Sequence, residues 1–181
     1  DAQLSRGLGD VYKRQWRKES LNSPEDMRMN RRLIILRHAN SSKHDPNQVD
    51  HDRPLDETGL RDSPRVAREI LNRGWNPDYI SVSSSLRTVQ TLESLGTEFS
   101  ETPKSIEQRL YLPSLETLLS VVASIPENTT QMIISHNPGC EILLEKLSGE
   151  LRVMTTASAA LMMERNGRWR LINLISPKNL G

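Results

Sequence analysis

The sequence predicts an α/β fold of one domain, and three observations predict it. From Leu33 onward, short apolar runs alternate with amphipathic stretches, which is the pattern of strands followed by covering helices. The longest apolar stretches are four or five residues, the length of a buried strand rather than of a helix. The chain has 181 residues, 35% of them hydrophobic, enough for a single core but not for two.

The elements follow in order. Leu33 to Leu36 is a buried-strand candidate. Thr58 to Arg73 reads as a helix, with Thr58 as its N-cap, Val66, Ala67, Ile70 and Leu71 on one side, and Gly74 as the stop. Pro64 is expected in its first turns, where proline is tolerated. Tyr79 to Val82 is a second strand, introduced by the turn signal Asn76-Pro77-Asp78. Leu86 to Leu95 is a helix stopped by Gly96, and Leu115 to Ala123 is another behind the cap Ser114. Met132 to Ser135 is a third strand, followed by a helix over Glu141 to Leu147 that Ser148-Gly149 ends. Ala159 to Met163 and Trp169 to Ile175, joined through Asn166-Gly167, form a closing hairpin.

Composition removes several classes. A single cysteine, Cys140, excludes an intramolecular disulfide and fits a reducing compartment. No Cys/His spacing suggests zinc, and no apolar run approaches the roughly 20 residues of a membrane span. Residues 1–32 carry eight Lys/Arg against five Asp/Glu, whereas the remainder carries 16 against 18. The body is therefore mildly acidic, with seven aromatics in the whole chain, so a nucleic-acid partner is not expected. Residues 1–28 have no hydrophobic period and no apolar signal region, and read as a leader that is either disordered or not native to the protein. The domain is expected over 29–181, with Met29 or Met27 as a natural start. The expected location is the cytoplasm, with organellar import left open. A monomer suffices, and the oligomeric state stays open.

Three strands run into polar residues that structure alone explains poorly: Arg37-His38-Ala39-Asn40, Ser83-Ser84-Ser85 with Arg87, and His136-Asn137-Pro138-Gly139. Ligands of open α/β sheets bind outside the carboxyl ends of the strands, so these segments can share one pocket. Two arginines and two histidines there favour a phosphoryl group. Arginine matches phosphate oxygens with a planar fork of donors, and a neutral imidazole nitrogen can accept a phosphoryl group. Helix starts after Ser85 and Gly139 add backbone donors. No metal and no cofactor is called for, because Arg37, Arg87 and a protonated His136 supply positive charge.

Arg37-His38-Ala39, Asp50-His51-Asp52-Arg53-Pro54-Leu55 with Thr58-Gly59, Ser84-x-x-Arg87-x-x-Gln90-Thr91, and Ser135-His136-Asn137-Pro138-Gly139 stand in that order. Together they resemble the histidine phosphatase superfamily, and most nearly its short SixA-like phosphohistidine phosphatases, over about residues 30 to 176. The resemblance implies a three-layer α/β/α sandwich of the phosphoglycerate mutase-like kind. It makes His38 the nucleophile, Arg37 and Arg87 the phosphoryl clamp, and His136 a donor to the transition state. Ala39 replaces the superfamily's usual glycine, as this branch commonly allows.

The larger members protonate a departing alkoxide with a carboxylic acid, and Glu107, just before Arg109-Leu110-Tyr111, is the only candidate for that role. An imidazole leaves without such help, because its conjugate acid has a pKa near 6.5. The expected substrate is thus a phosphorylated protein carrying phosphohistidine, or, as the alternative, a small phosphomonoester at the same site. A non-catalytic phosphate-binding module is a third reading, disfavoured by the presence of both histidines. Asn40 and Ser41 read as turn formers more than phosphate donors, and Arg53 either lines the substrate entrance or locks its loop. His44 and His51 read as solvated, and Cys140 as a packing residue.

Overall fold

The computed structural model describes residues 31–43 and 45–180; the expected leader, Met29 and His44 lie outside them. Strands β1 (Arg32–Arg37), β2 (Tyr79–Ser83), β3 (Lys104–Glu107) and β4 (Thr130–Ser135) are parallel, and β5 (Ala159–Arg165) and β6 (Arg168–Ile175) form an antiparallel hairpin. They make one sheet in the order β3-β2-β4-β1-β5-β6. Helices α1 (Glu57–Asn72), α2 (Leu86–Glu93), α3 (Leu115–Ala123) and α4 (Gly139–Ser148) cover it.

The central strands are apolar on both sides because both faces are covered. On one face Ile34, Leu36, Met132 and Ile134 pack with Val66, Ala67 and Ile70 of α1 and Leu92 of α2. On the other, Leu33, Ile35 and Ile133 pack with Leu118, Val121 and Val122 of α3 and Leu143 and Leu144 of α4. The result is the three-layer sandwich expected. At the hairpin tip Asn166 and Gly167 have φ of 52° and 72°, the pair of positive values that a two-residue turn of this hand needs.

Four local expectations change. Asp56, not Thr58, caps α1: its Oδ1 accepts the Gly59 amide at 2.8 Å, and Thr58 falls inside the helix. Pro64 lies at the end of the second turn of α1, beyond the opening positions where proline is tolerated, so the Leu60 carbonyl loses its usual helical donor at a half-exposed position. Helix α4 begins at Gly139, directly behind Pro138, two residues earlier than the apolar pattern suggests. Strand β3 had no sequence signal, since Lys-Ser-Ile-Glu at the sheet edge holds one apolar residue, itself exposed.

α1 is seated on the loop after β1. A Cβ at Gly59 would stand 2.1 Å from the backbone oxygen of Asn40, which also accepts the Asp56 amide at 3.1 Å. Neither backbone can yield without moving the segment two residues from His38. Gly59→Ala is expected to destabilise the fold by about 3 kcal/mol, read as a lowered denaturant midpoint at unchanged m-value.

Candidate active site

β1 and β4 lie side by side in parallel, yet α1 and α4, which follow them, pack on opposite faces. A crevice therefore opens at the carboxyl ends of these two strands. The register pairs Arg37 with Ser135, so His38 and His136 emerge next to each other, their ring centroids 5.2 Å apart. β2, on the other side of β4, ends at Ser83, and Arg87 rises from the first turn of α2. The resulting cavity of about 390 Å³ is lined by Arg37, His38, Asn40, Ser41, Asp50, Arg53, Arg87, Leu112, His136, Asn137 and Thr156. Arg37, Arg87, His38 and His136 are brought together, and Asn40 and Arg53 stand with them.

The His38 ring faces a fixed choice of tautomer. Its Nδ1 lies 2.8 Å from the Ala39 carbonyl, which can only accept, so the neutral ring carries its proton there and keeps the Nε2 lone pair free. Burial lowers its pKa to about 4 with help from Arg87, Arg37 and Arg53, against the opposing Ala39 hydrogen bond. His136 is likewise held down to about 3, by burial first and then by His38 and Arg87. The expectation of a protonated His136 is therefore corrected: burial and its charged neighbours keep the ring neutral at neutral pH. Its Nε2 is 2.7 Å from the Ser83 hydroxyl, and its buried Nδ1 has no partner.

The two arginines share a pattern. Arg37 donates from Nη1 to the Met154 carbonyl at 2.8 Å; Arg87 donates from Nη1 to the Asp50 carbonyl at 2.6 Å and from Nη2 to the Asp50 carboxylate at 3.0 Å. Both keep a buried Nε with no partner. Each guanidinium is thus fastened on its outer nitrogens, with donors left over for an anion, and such buried donors are costly unless an acceptor meets them.

Asp50 organises this side. Its Oδ1 takes Arg53 at 3.1 and 3.0 Å, and its Oδ2 takes Arg87 at 3.0 Å and the Tyr111 hydroxyl at 2.8 Å. Burial alone would raise its pKa, but Tyr111, Arg87 and Arg53 prevail and bring it to about 2. Tyr111 sets its ring under Arg87 and edge-on to His136 and His51. Neither Asp50 nor Tyr111 was given a role from sequence, because their partners lie 37 and 61 residues apart along the chain.

Other expectations resolve here. Arg53 does both things considered for it: it lines the cavity, and it locks its loop by donating to Asp50, Ser41 Oγ and the Ser42 carbonyl. Asn40 lines the cavity while donating to Asp56 at 2.6 Å. His51 is not simply solvated: it lies 2.9 Å from Ser84 Oγ and 3.1 Å from Asp52. Glu107 does not line the cavity. Its carboxylate accepts from Ser105 and Arg109 at 2.6 Å each, and with Ser81 these outweigh burial and hold its pKa below the usual value, so it is no proton donor at neutral pH. Cys140 is buried, and burial pushes its thiol up to about 12, as a packing residue. Among the described residues no helix is long and apolar enough to cross a membrane.

The comparisons with known proteins agree with this geometry. A family model for the histidine phosphatase superfamily, branch 1, matches residues 33–111. An uncharacterised chloroplastic protein of Arabidopsis thaliana is 33% identical over 172 residues, covering 82% of this chain and 79% of that one. A protein from Agrobacterium tumefaciens assigned as a SixA phosphohistidine phosphatase superposes with a TM-score of 0.74 at 29% identity, over 81% of this chain and 97% of that one. The protein histidine phosphatase SixA in complex with tungstate shares the fold, with a TM-score of 0.72 at 22% identity over 83% and 99% of the two chains. With its paired histidines and arginines at the carboxyl ends of β1, β2 and β4, the chain belongs to the histidine phosphatase superfamily and stands among its SixA-like members.

Proposed function

We propose that the protein is a phosphatase that removes the phosphoryl group of protein phosphohistidine through a covalent intermediate on His38. The observation that carries this reading is the His38 ring, neutral and with a free Nε2, in a cavity lined by Arg37, Arg87 and His136, each of which keeps a buried nitrogen without a hydrogen-bond partner. In the first step Nε2 forms a bond to phosphorus as the bond to the substrate imidazole breaks; the electron pair departs with that imidazole, which carries a proton on its other nitrogen and so leaves neutral, while His38 keeps its Nδ1 proton. The equatorial oxygens gather charge in that transition state, where the donors of Arg37, Arg87 and His136 meet it. Water then attacks the phosphoryl group and gives a proton to a phosphoryl oxygen, and the pair returns to Nε2 as dihydrogen phosphate leaves. Asn40 and Arg53 line the same cavity.

The carboxylates support phosphohistidine over an alkyl phosphate. Asp50 is the only carboxylate lining the cavity among the described residues, and it is ionised down to about pH 2. It cannot protonate a departing alkoxide, whereas an imidazole leaves without that help. The single buried cysteine and the chloroplastic relative support a reducing compartment, whether cytoplasm or organelle.

The test compares kcat/KM for a phosphohistidine peptide and for a simple alkyl phosphomonoester. At least a roughly 100-fold preference for the peptide is expected, the scale of one general acid's usual contribution. Comparable turnover of the two would replace this reading with that of a small-molecule phosphomonoesterase.

A further inference from the structure

We propose that Ser83 is a positioning residue that sets the tautomer of His136: its hydroxyl donates to Nε2, so the neutral ring carries its proton on Nδ1 and offers it to a phosphoryl oxygen. The proposal rests on the phosphoryl-transfer reading of the site. Its evidence is a count of hydrogens. Ser83 is fully buried at the end of β2, and among the described residues His136 Nε2, 2.7 Å away, is the single partner of its hydroxyl. If Nε2 held the proton and donated, the Ser83 hydrogen would have no acceptor. The bare Nδ1 lone pair would also face an incoming anion, and both arrangements are costly in a buried site. With Ser83 donating, both nitrogens are used: Nε2 accepts, and Nδ1–H is the buried, unpartnered donor of a ring that lines the cavity.

This arrangement lets His136 act as a donor without being charged, which matters because its neighbours oppose a charge. His38 from the end of β1, Arg87 from α2 and His51 from the turn after Val49 disfavour the imidazolium; Asp50 from that same turn favours it, and Tyr111 stands edge-on.

The experiment is nitrogen NMR of protein labelled with ¹⁵N-histidine, with the His136 signals assigned through a His136→Gln variant. In the wild type at pH 7, His136 is expected as the Nδ1–H tautomer; a predominantly Nε2–H ring would overturn the proposal with no variant of Ser83 needed. Ser83→Ala is expected to shift the ring toward Nε2–H and to lower kcat/KM on an aryl phosphate by about 10- to 100-fold. Ser83→Thr, which keeps the hydroxyl, is expected to recover most of that loss. The Ser83→Ala deficit is expected to stay level from pH 7 to 5 and to narrow only on the acid limb near 4 and below, because an imidazolium carries a proton on both nitrogens whatever Ser83 does. A deficit with the tautomer unmoved would reduce Ser83 to packing. The aryl substrate and the tautomer signal keep this outcome separate from failure of the phosphohistidine reading.

Discussion

His38→Ala is expected to lower kcat by about 10⁴-fold or more and to abolish any acid-labile phosphate trapped on the protein during turnover, as removing a nucleophile does. The variant should still bind vanadate or phosphate, since Arg37, Arg87 and His136 remain and the buried donors of the two arginines need an acceptor. Turnover within tenfold of wild type, or trapped phosphate persisting on the variant, would place the nucleophile elsewhere. The wild-type pH profile provides a second check. Burial and the surrounding arginines hold His38 near 4 rather than 6.5, so the reactive neutral ring persists as pH falls from 7 to 5. In the free enzyme kcat/KM should therefore stay nearly level over that range, with its acid limb close to 4. The same shift has a stability consequence. The unfolded chain takes up this proton near 6.5 and the folded chain only near 4, so the contribution is whole above 6.5 and is lost progressively between 6.5 and 4.

What was readable in the sequence, and what was not, divides along a physical line. A strand that is apolar on both faces and ends in Arg37-His38 announces both its burial and its polar terminus within six residues, because burial and chemistry there are local properties of the chain. The same holds for Ile133-Ile134-Ser135-His136 and for the Asn166-Gly167 turn, whose backbone demands select their own residues. Asp50, Tyr111 and Ser83 carry no such mark. Asp50 owes its role to Arg87, Tyr111 and Arg53, and Ser83 to a histidine 53 positions away that only the β2 to β4 pairing brings within 2.7 Å. Glu107 misleads for the same reason in reverse. Its place before Tyr111 is near the site in sequence, but edge strand β3 directs its carboxylate to Ser105 and Arg109.

A division of labour follows among the cavity's cations. Arg53 spends hydrogens on Asp50, Ser41 and Ser42, and so holds the loop that bears Asp50. Asp50 in turn spends both carboxylate oxygens on cations and Tyr111, and so holds Arg87. The chain of contacts runs from a partly exposed loop to a guanidinium that is 3% exposed, and only the last member has an unpartnered donor. Fixing a long side chain before the anion arrives removes a cost that would otherwise be met in the transition state.

That reasoning predicts that charge alone at position 87 is insufficient. Arg87→Lys keeps a cation but replaces a planar fork by one ammonium nitrogen on a shorter stem. In the wild type, Asp50 occupies Nη1 through its carbonyl and Nη2 through its carboxylate, which leaves Nε and further hydrogens for the phosphoryl group. A lysine must choose: an ammonium drawn to the Asp50 carboxylate is drawn away from phosphate, and one that meets phosphate leaves Asp50 with fewer donors. The expected result is a loss of about 10²- to 10³-fold in kcat/KM, falling more on kcat than on KM, because the missing donor matters most where charge gathers on the oxygens. Asp50→Asn should lose less, about tenfold, since an amide oxygen can still accept from Arg87 while its charge is gone. If Arg87→Lys stayed within about threefold of wild type while its melting temperature fell, Arg87 would be a lock for the Asp50 loop and the clamp would consist of Arg37 and His136. If Asp50→Asn cost as much as Arg87→Lys, the carboxylate would have to act on the substrate itself rather than through the arginine it holds.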